Sequence, residues 1–232
     1  MRLLAATLLL SLGFAAAANA ASVIVEKTVS GFSSPESVAI AGDDVFVSNL
    51  GVKLEPSAKD GDGFISLLDR QGNIKKLKWA DKLNGPKGLI LIDGTLYVAD
   101  IDRVLGFRVR DGKQVFALDM AATGSVFLNA FARYDNRRLL LSATDIGKVF
   151  VIDLPKKSYS EVQFDSAPKG PNGMKKSGNR LMLVEWGENS QPNGAIKLYQ
   201  LDGMHAKLDK TFNLNPPGYF DGVVDLGANR WL

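Results

Sequence analysis

One phrase returns along this chain, and it constrains the fold more than any other feature. It reads S-P-E-S-V at 34–38, G-P-K-G-L at 85–89 and G-P-N-G-M at 170–174, with looser versions L-N-A-F at 128–131 and F-D-G-V at 220–223. The letter after Pro, or its equivalent, runs Glu36, Lys87, Asn129, Asn172, Asp221, spaced by about 40 to 50 residues, the period of propeller blades. A short apolar segment, a turn and a second apolar segment follow each phrase. The turns hold Gly42-Asp43-Asp44, Asp93-Gly94, Asp135-Asn136 and Ser177-Gly178-Asn179, all hairpin residues. Third segments follow at 64–69, 104–109, 148–153 and 195–201, and weaker fourth ones at 74–77, 114–118, 160–164 and 207–212. Short strands joined by tight turns make all-β blades, and no helical period of ten or more residues competes past the N-terminal segment.

The expected fold is therefore an all-β propeller, six-bladed in its complete form. The fifth unit stops at Arg230-Trp231-Leu232, so about four and a half blades are expected, with V-I-V-E-K-T-V at 23–29 as a spare front strand. An open ring edge would leave unpaired backbone groups and invite association. The first twenty residues stand outside this pattern. Arg2, the apolar run Leu3–Ala18 and Ala18-Asn19-Ala20 read as a secretory signal peptide, leaving 21–232 as the propeller domain of a periplasmic or secreted protein. No stable membrane insertion is expected after cleavage, since no other run approaches the length of a span.

Composition narrows the chemistry. The chain has no cysteine and one histidine, which disfavours disulfides, soft-metal sites and histidine-rich zinc sites. Loss of Arg2 with the signal takes the net charge from +3 to +2. The charges are interspersed, so nucleic acid is not an expected partner. The phosphate-loop pattern G-x-x-x-x-G-K-[ST] and the G-x-S-x-G elbow are absent, and His205 sits in an outer turn.

In a propeller, residues at equivalent places before the inner strands converge on one end of the channel. Glu36, Asn129, Asn172 and Asp221 would there offer two carboxylates and two amides, a set that suits a hard divalent cation. The competing reading is that Asn and Asp before Gly only shape turns. Asp60-Gly61-Asp62-Gly63 is a second place for calcium, although a connecting turn fits its spacing better. Leu50–Gly63 is read as a lid or a disordered loop. Asn49, Asp100 and Glu185, with Asp102 and Asp145 nearby, line the mouth or cap turns. Trp186 is read as core or rim packing, with stacking on a ligand at the mouth as the alternative.

The phrases S-P-E-S-V, P-N-G-M and F-D-G-V-V-D resemble the senescence-marker-protein/gluconolactonase, or regucalcin-like, family. The resemblance covers most of 31–232. It implies a six-bladed propeller with one divalent cation, calcium first, with magnesium, manganese or zinc as alternatives. It implies Glu36, Asn172 and Asp221 as metal ligands, Asn129 as a substrate residue, and Asp221 also as the residue that handles the water's proton. The implied activity is hydrolysis of lactone-type esters. Two departures stand out: Glu36 follows Pro35 rather than preceding a Pro, and Phe127 stands where sugar-lactone enzymes of the family often carry Arg. The alternative function is a non-enzymatic propeller that binds a protein or a small ligand.

Overall fold

Inner, middle and outer strands repeat four times along the chain. A computed structural model describes residues 25–189, 191–227 and 230–231. The chain divides into two compact units, 1–30 and 31–232. Within the first, residues 25–30 form no strand, so that part of the expected front strand is absent; the expected signal peptide lies outside the described residues.

The second unit begins with a sheet of β1 (Pro35–Ala41), β2 (Asp44–Asn49), β3 (Gly63–Asp69) and β4 (Ile74–Leu83), paired in sequence order. The next holds β5 (Pro86–Ile92), β6 (Thr95–Asp100), β7 (Arg103–Arg108) and β8 (Gln114–Asp119). The third holds β9 (Leu128–Arg133), β10 (Arg138–Ala143), β11 (Lys148–Asp153) and β12 (Ser158–Glu161). The expected strand at 160–164 is split. Its end, β13 (Gln163–Phe164), crosses to the next sheet and pairs parallel with that sheet's outermost strand. That sheet holds β14 (Pro171–Ser177), β15 (Arg180–Glu185), β16 (Ile196–Asp202) and β17 (His205–Phe212). A two-stranded piece, β18 (Asp225–Gly227) with β19 (Arg230–Trp231), starts a fifth. The described residues contain no α-helix, only 3₁₀ turns at 121–123 and 144–146.

Strand alternation explains how the sheets stack. Leu139 and Leu141 point toward the second sheet, and Leu140, between them, points toward the fourth. All three are fully buried. Each contributes about 2 kcal/mol by leaving water. The same rule puts Leu96 and Val98 against the first sheet and Tyr97 and Ala99 against the third. Three cores thus lie between successive sheets. Trp79 belongs to the first of these, edge-on to Phe46 with centroids 4.7 Å apart. Inner strands of neighbouring sheets touch in order: β1 with β5, β5 with β9, β9 with β14.

The repeated phrase builds this inner ring. Register shifts interrupt the pairing at Pro35/Val38, Pro86/Leu89, Leu141/Ala143 and Pro171/Met174. Each bulge sits at the phrase, and a bulge re-aims the side chain it carries. The glycines after Lys87 and Asn172 are not turn residues. A Cβ on Gly88 would lie 2.3 Å from the Asn129 carbonyl oxygen, and one on Gly173 would lie 2.7 Å from that of Asp221. Glycine stands there because the neighbouring backbone comes that close.

Candidate functional site

The loop before each inner strand is tied by a side chain from the end of the next strand or, in the third blade, from the 3₁₀ turn just after it. Asn49 Oδ1 accepts from the Ser33 N–H (3.0 Å), and Asp100 Oδ1 accepts from those of Asn84 and Gly85 (both 2.9 Å). Asp145 Oδ2 accepts from the Val126 N–H (2.7 Å), and Glu185 Oε1 from that of Lys169 (2.8 Å). The acids and amide that recur after the second strands are therefore caps. Asp100 is further bound by Arg103, and Glu185 by the buried Lys197. This lattice fixes where each phrase begins and so where the following residue points.

Those residues meet. Glu36, Asn129, Asn172 and Asp221 all line one cavity of about 920 Å³. The Asn172 amide donates to Asp221 Oδ1 at 2.7 Å. Asp221 lies outside any strand, but the Gly173 N–H donates to its carbonyl (2.8 Å) and the Phe220 N–H to that of Glu185 (3.1 Å). Asn129 Nδ2 donates to Thr144 Oγ1 (3.1 Å), which donates to the Pro171 carbonyl (2.8 Å). Glu36 is the perturbed acid of the set. Burial, and then the charge of Asp221, pushes its carboxyl up to about 7, against the opposing pull of Lys87.

Lys87 does not line the cavity but braces parts of its wall. It is 1% exposed. Its ammonium donates to the carbonyls of Pro56 (2.5 Å) and Gly85 (3.2 Å) and lies 4.2 Å from the centre of the Phe127 ring. Burial lowers its pKa to about 8, while Glu36, Asp100 and Asp145 pull it back up. The sequence signal was present, since Lys87 holds the same place in its phrase as Glu36 and Asn172. Its bond to Pro56 also anchors the Leu50–Gly63 loop. That loop is further tied by Asp62, which accepts from the Val52 N–H (2.9 Å), and by the Lys59–Asp102 ion pair. Asp62 is thus engaged as a loop staple.

The walls come from several loops. Leu54 and Pro56 stand on the Leu50–Gly63 loop, Phe127 precedes β9, Ile146 follows β10, and Trp186 follows β15. Trp186 rests on Tyr219 with centroids 4.7 Å apart. His205 is exposed and does not line this cavity; it opens β17 rather than sitting in the turn expected for it, which is Gly203-Met204.

Among the described residues no three His, Cys, Asp or Glu side chains are grouped to hold a metal. The cavity floor instead combines two carboxylates with two amides. That donor set fits a hard, oxygen-preferring divalent cation: the charges balance, and Glu36 is destabilised as a carboxylate without a cation.

No family model and no curated protein matches this sequence. Solved structures match its shape. A chain of a nidogen/laminin complex aligns with TM-score 0.59 and 16% identity over 82% of this chain and 68% of its own. Streptogramin B lyase aligns with TM-score 0.60 and 14% identity over 82% and 58%. Virginiamycin B lyase from Staphylococcus aureus aligns with TM-score 0.54 and 14% identity over 82% and 74%. These are β-propeller proteins. The chain has the β-propeller fold. At these identities the likeness concerns fold alone, and the propeller spans little more than half of the streptogramin B lyase chain. Among propellers of this shape are enzymes and a protein-binding module, so the site must carry the functional argument.

Proposed function

We propose that this propeller is a secreted or periplasmic, divalent-cation-dependent hydrolase of lactone-type esters, with Glu36, Asn172 and Asp221 as cation ligands. The observation that carries the reading is the floor of the cavity: three blade phrases and the Phe220-Asp221-Gly222 segment deliver two carboxylates and two amides to one place. Calcium is the first choice for such an oxygen set, ahead of magnesium, manganese and zinc. Bound there, a cation would polarise the ester carbonyl and lower the pKa of a water.

The protein's own residues do the rest. Asn172 holds the Asp221 carboxylate by its 2.7 Å bond. Asp221, exposed to the cavity, accepts a proton from the attacking water. The water oxygen bonds to the acyl carbon, the ring C–O bond breaks, and the proton passes to the leaving alkoxide to give the hydroxy acid. Asn129, held by Thr144, orients the substrate. Lys87 offsets the charge of Glu36 and keeps the Leu50–Gly63 loop in place.

The test is turnover of a panel of lactones by metal-stripped protein, before and after each cation is restored. Activity restored by a cation, and reduced at least tenfold by Asn172→Ala and by Asp221→Asn, is the expected result. Full activity without cation, or in both variants, would refute the assignment. A second reading, a binding propeller without catalysis, is favoured by the exposed apolar side chains of Val52 and Leu54 on the rim. It predicts ligand binding with no turnover under any cation. Among the described residues no helix is long and apolar enough to cross a membrane.

A further inference from the structure

The walls of the cavity are unlike its floor. Leu54 is 73% exposed and Trp186 is 40% exposed, yet both line the cavity with Phe127, Ile146 and Pro168. Apolar side chains held in water above a polar floor gain when an apolar body covers them. They are also held firmly. Leu54 lies two residues from Pro56, whose carbonyl is gripped by Lys87. The Phe127 ring is backed by the same ammonium, and the Trp186 indole by Tyr219.

Apart from the exposed Asn189, the polar side chains of the wall are already engaged. Asp145 spends both oxygens on Ser125 and Val126, and Glu188 pairs with Lys169. Thr144 bridges Asn129 to Pro171. A ligand with a hydroxyl on every carbon would have to bury those groups against leucine, phenylalanine and tryptophan, at the cost of their bonds to water.

We infer that the ligand of this cavity is an ester or lactone bearing an alkyl or aryl body, its acyl oxygen directed to the floor and its apolar part to the wall of Leu54, Phe127, Ile146 and Trp186. The inference rests on the lactone-hydrolase reading for the acyl group and on the wall alone for the body.

The test uses the full chain with and without calcium. Hydrolysis is compared for a γ-lactone carrying a heptyl chain and for a polyhydroxylated lactone. Binding is compared for the heptyl and the unsubstituted γ-lactam, which resist hydrolysis. The heptyl probes are expected to be preferred at least about tenfold, since every buried methylene adds to affinity. Leu54→Ser and Trp186→Ala are each expected to remove about fivefold or more of that preference while keeping the calcium-induced melting shift.

Equal or better use of the polyhydroxylated lactone, a preference unchanged in both variants, or no binding of either lactam would overturn the inference. Failures of the two readings are distinguishable. Heptyl preference lost in the variants, with no calcium effect, keeps the wall and refutes the hydrolase. Calcium-dependent turnover without the preference keeps the hydrolase and refutes the wall.

Discussion

The phrases of the second and fourth blades share their scaffold and differ in one letter. Both have Pro at the bulge, Gly packed against the backbone of the neighbouring unit, and an acid capping the preceding loop. Between Pro and Gly, one carries Lys87 and the other Asn172. Lys87 turns its ammonium to backbone carbonyls and supports a loop and a ring. Asn172 turns its amide to Asp221 on the cavity floor. The repeat therefore supplies position, and a single side chain supplies chemistry.

The caps differ in what their removal strands. Lys197 is 9% exposed and faces Glu185, whereas Arg103 is 36% exposed and faces Asp100. Glu185→Ala leaves an ammonium in the interior and should cost about 3 to 5 kcal/mol. Asp100→Ala lets Arg103 turn to water and should cost less. Urea midpoints of the two variants decide this, and equal losses would erase the distinction between the blades.

Glu36 gives the next effect. Its pKa is raised from 4.5 to about 7 in the folded chain. Below pH 4.5 it is protonated in both states, and the stability linked to it is fully present. That stability falls as pH rises toward and through 7, by at most ~3 kcal/mol. Metal-free protein should therefore be less stable at pH 8 than at pH 5 by more than Glu36→Gln is. Parallel pH profiles for the two would contradict the half-buried setting of Glu36 beside Asp221.

Close packing of the phrases comes next. Gly88→Ala places a methyl 2.3 Å from a backbone oxygen, against 2.7 Å for Gly173→Ala. Both should destabilise by about 1 to 3 kcal/mol, with Gly88 the worse. Thermal melts would show the order. The smallest effect belongs to Lys87→Met. Global stability should fall by about 1 kcal/mol. Trypsin should cut after Lys53 or Lys59 several-fold faster once Pro56 is released. Unchanged cleavage would deny Lys87 its hold on the loop.

Much of this was legible in the chain. Hairpin turns and apolar segments mark the four sheets, and the phrase marks the inner strands. Asp93-Gly94, for instance, has positive φ at both residues, as a tight hairpin requires. The floor residues were legible because they hold one place in the repeat. Lys87 was set aside because an ammonium is no cation ligand, although its place was the same. The wall was harder to read, since Leu54, Phe127 and Trp186 lie in loops of unequal length and no period links them. The split of 160–164 between two sheets was hidden because Val162 continues the apolar pattern while its own N–H bonds back to Val149.

The most direct measurement is a thermal melt of metal-stripped protein titrated with calcium, magnesium, manganese and zinc, beside Glu36→Gln. A cation bound only by the folded state raises the midpoint once its concentration passes its dissociation constant. The account predicts a rise with at least one cation, calcium first, that is lost or greatly reduced in Glu36→Gln. A midpoint indifferent to all four, or an equal rise in the variant, would contradict the cation site on which the proposed function stands.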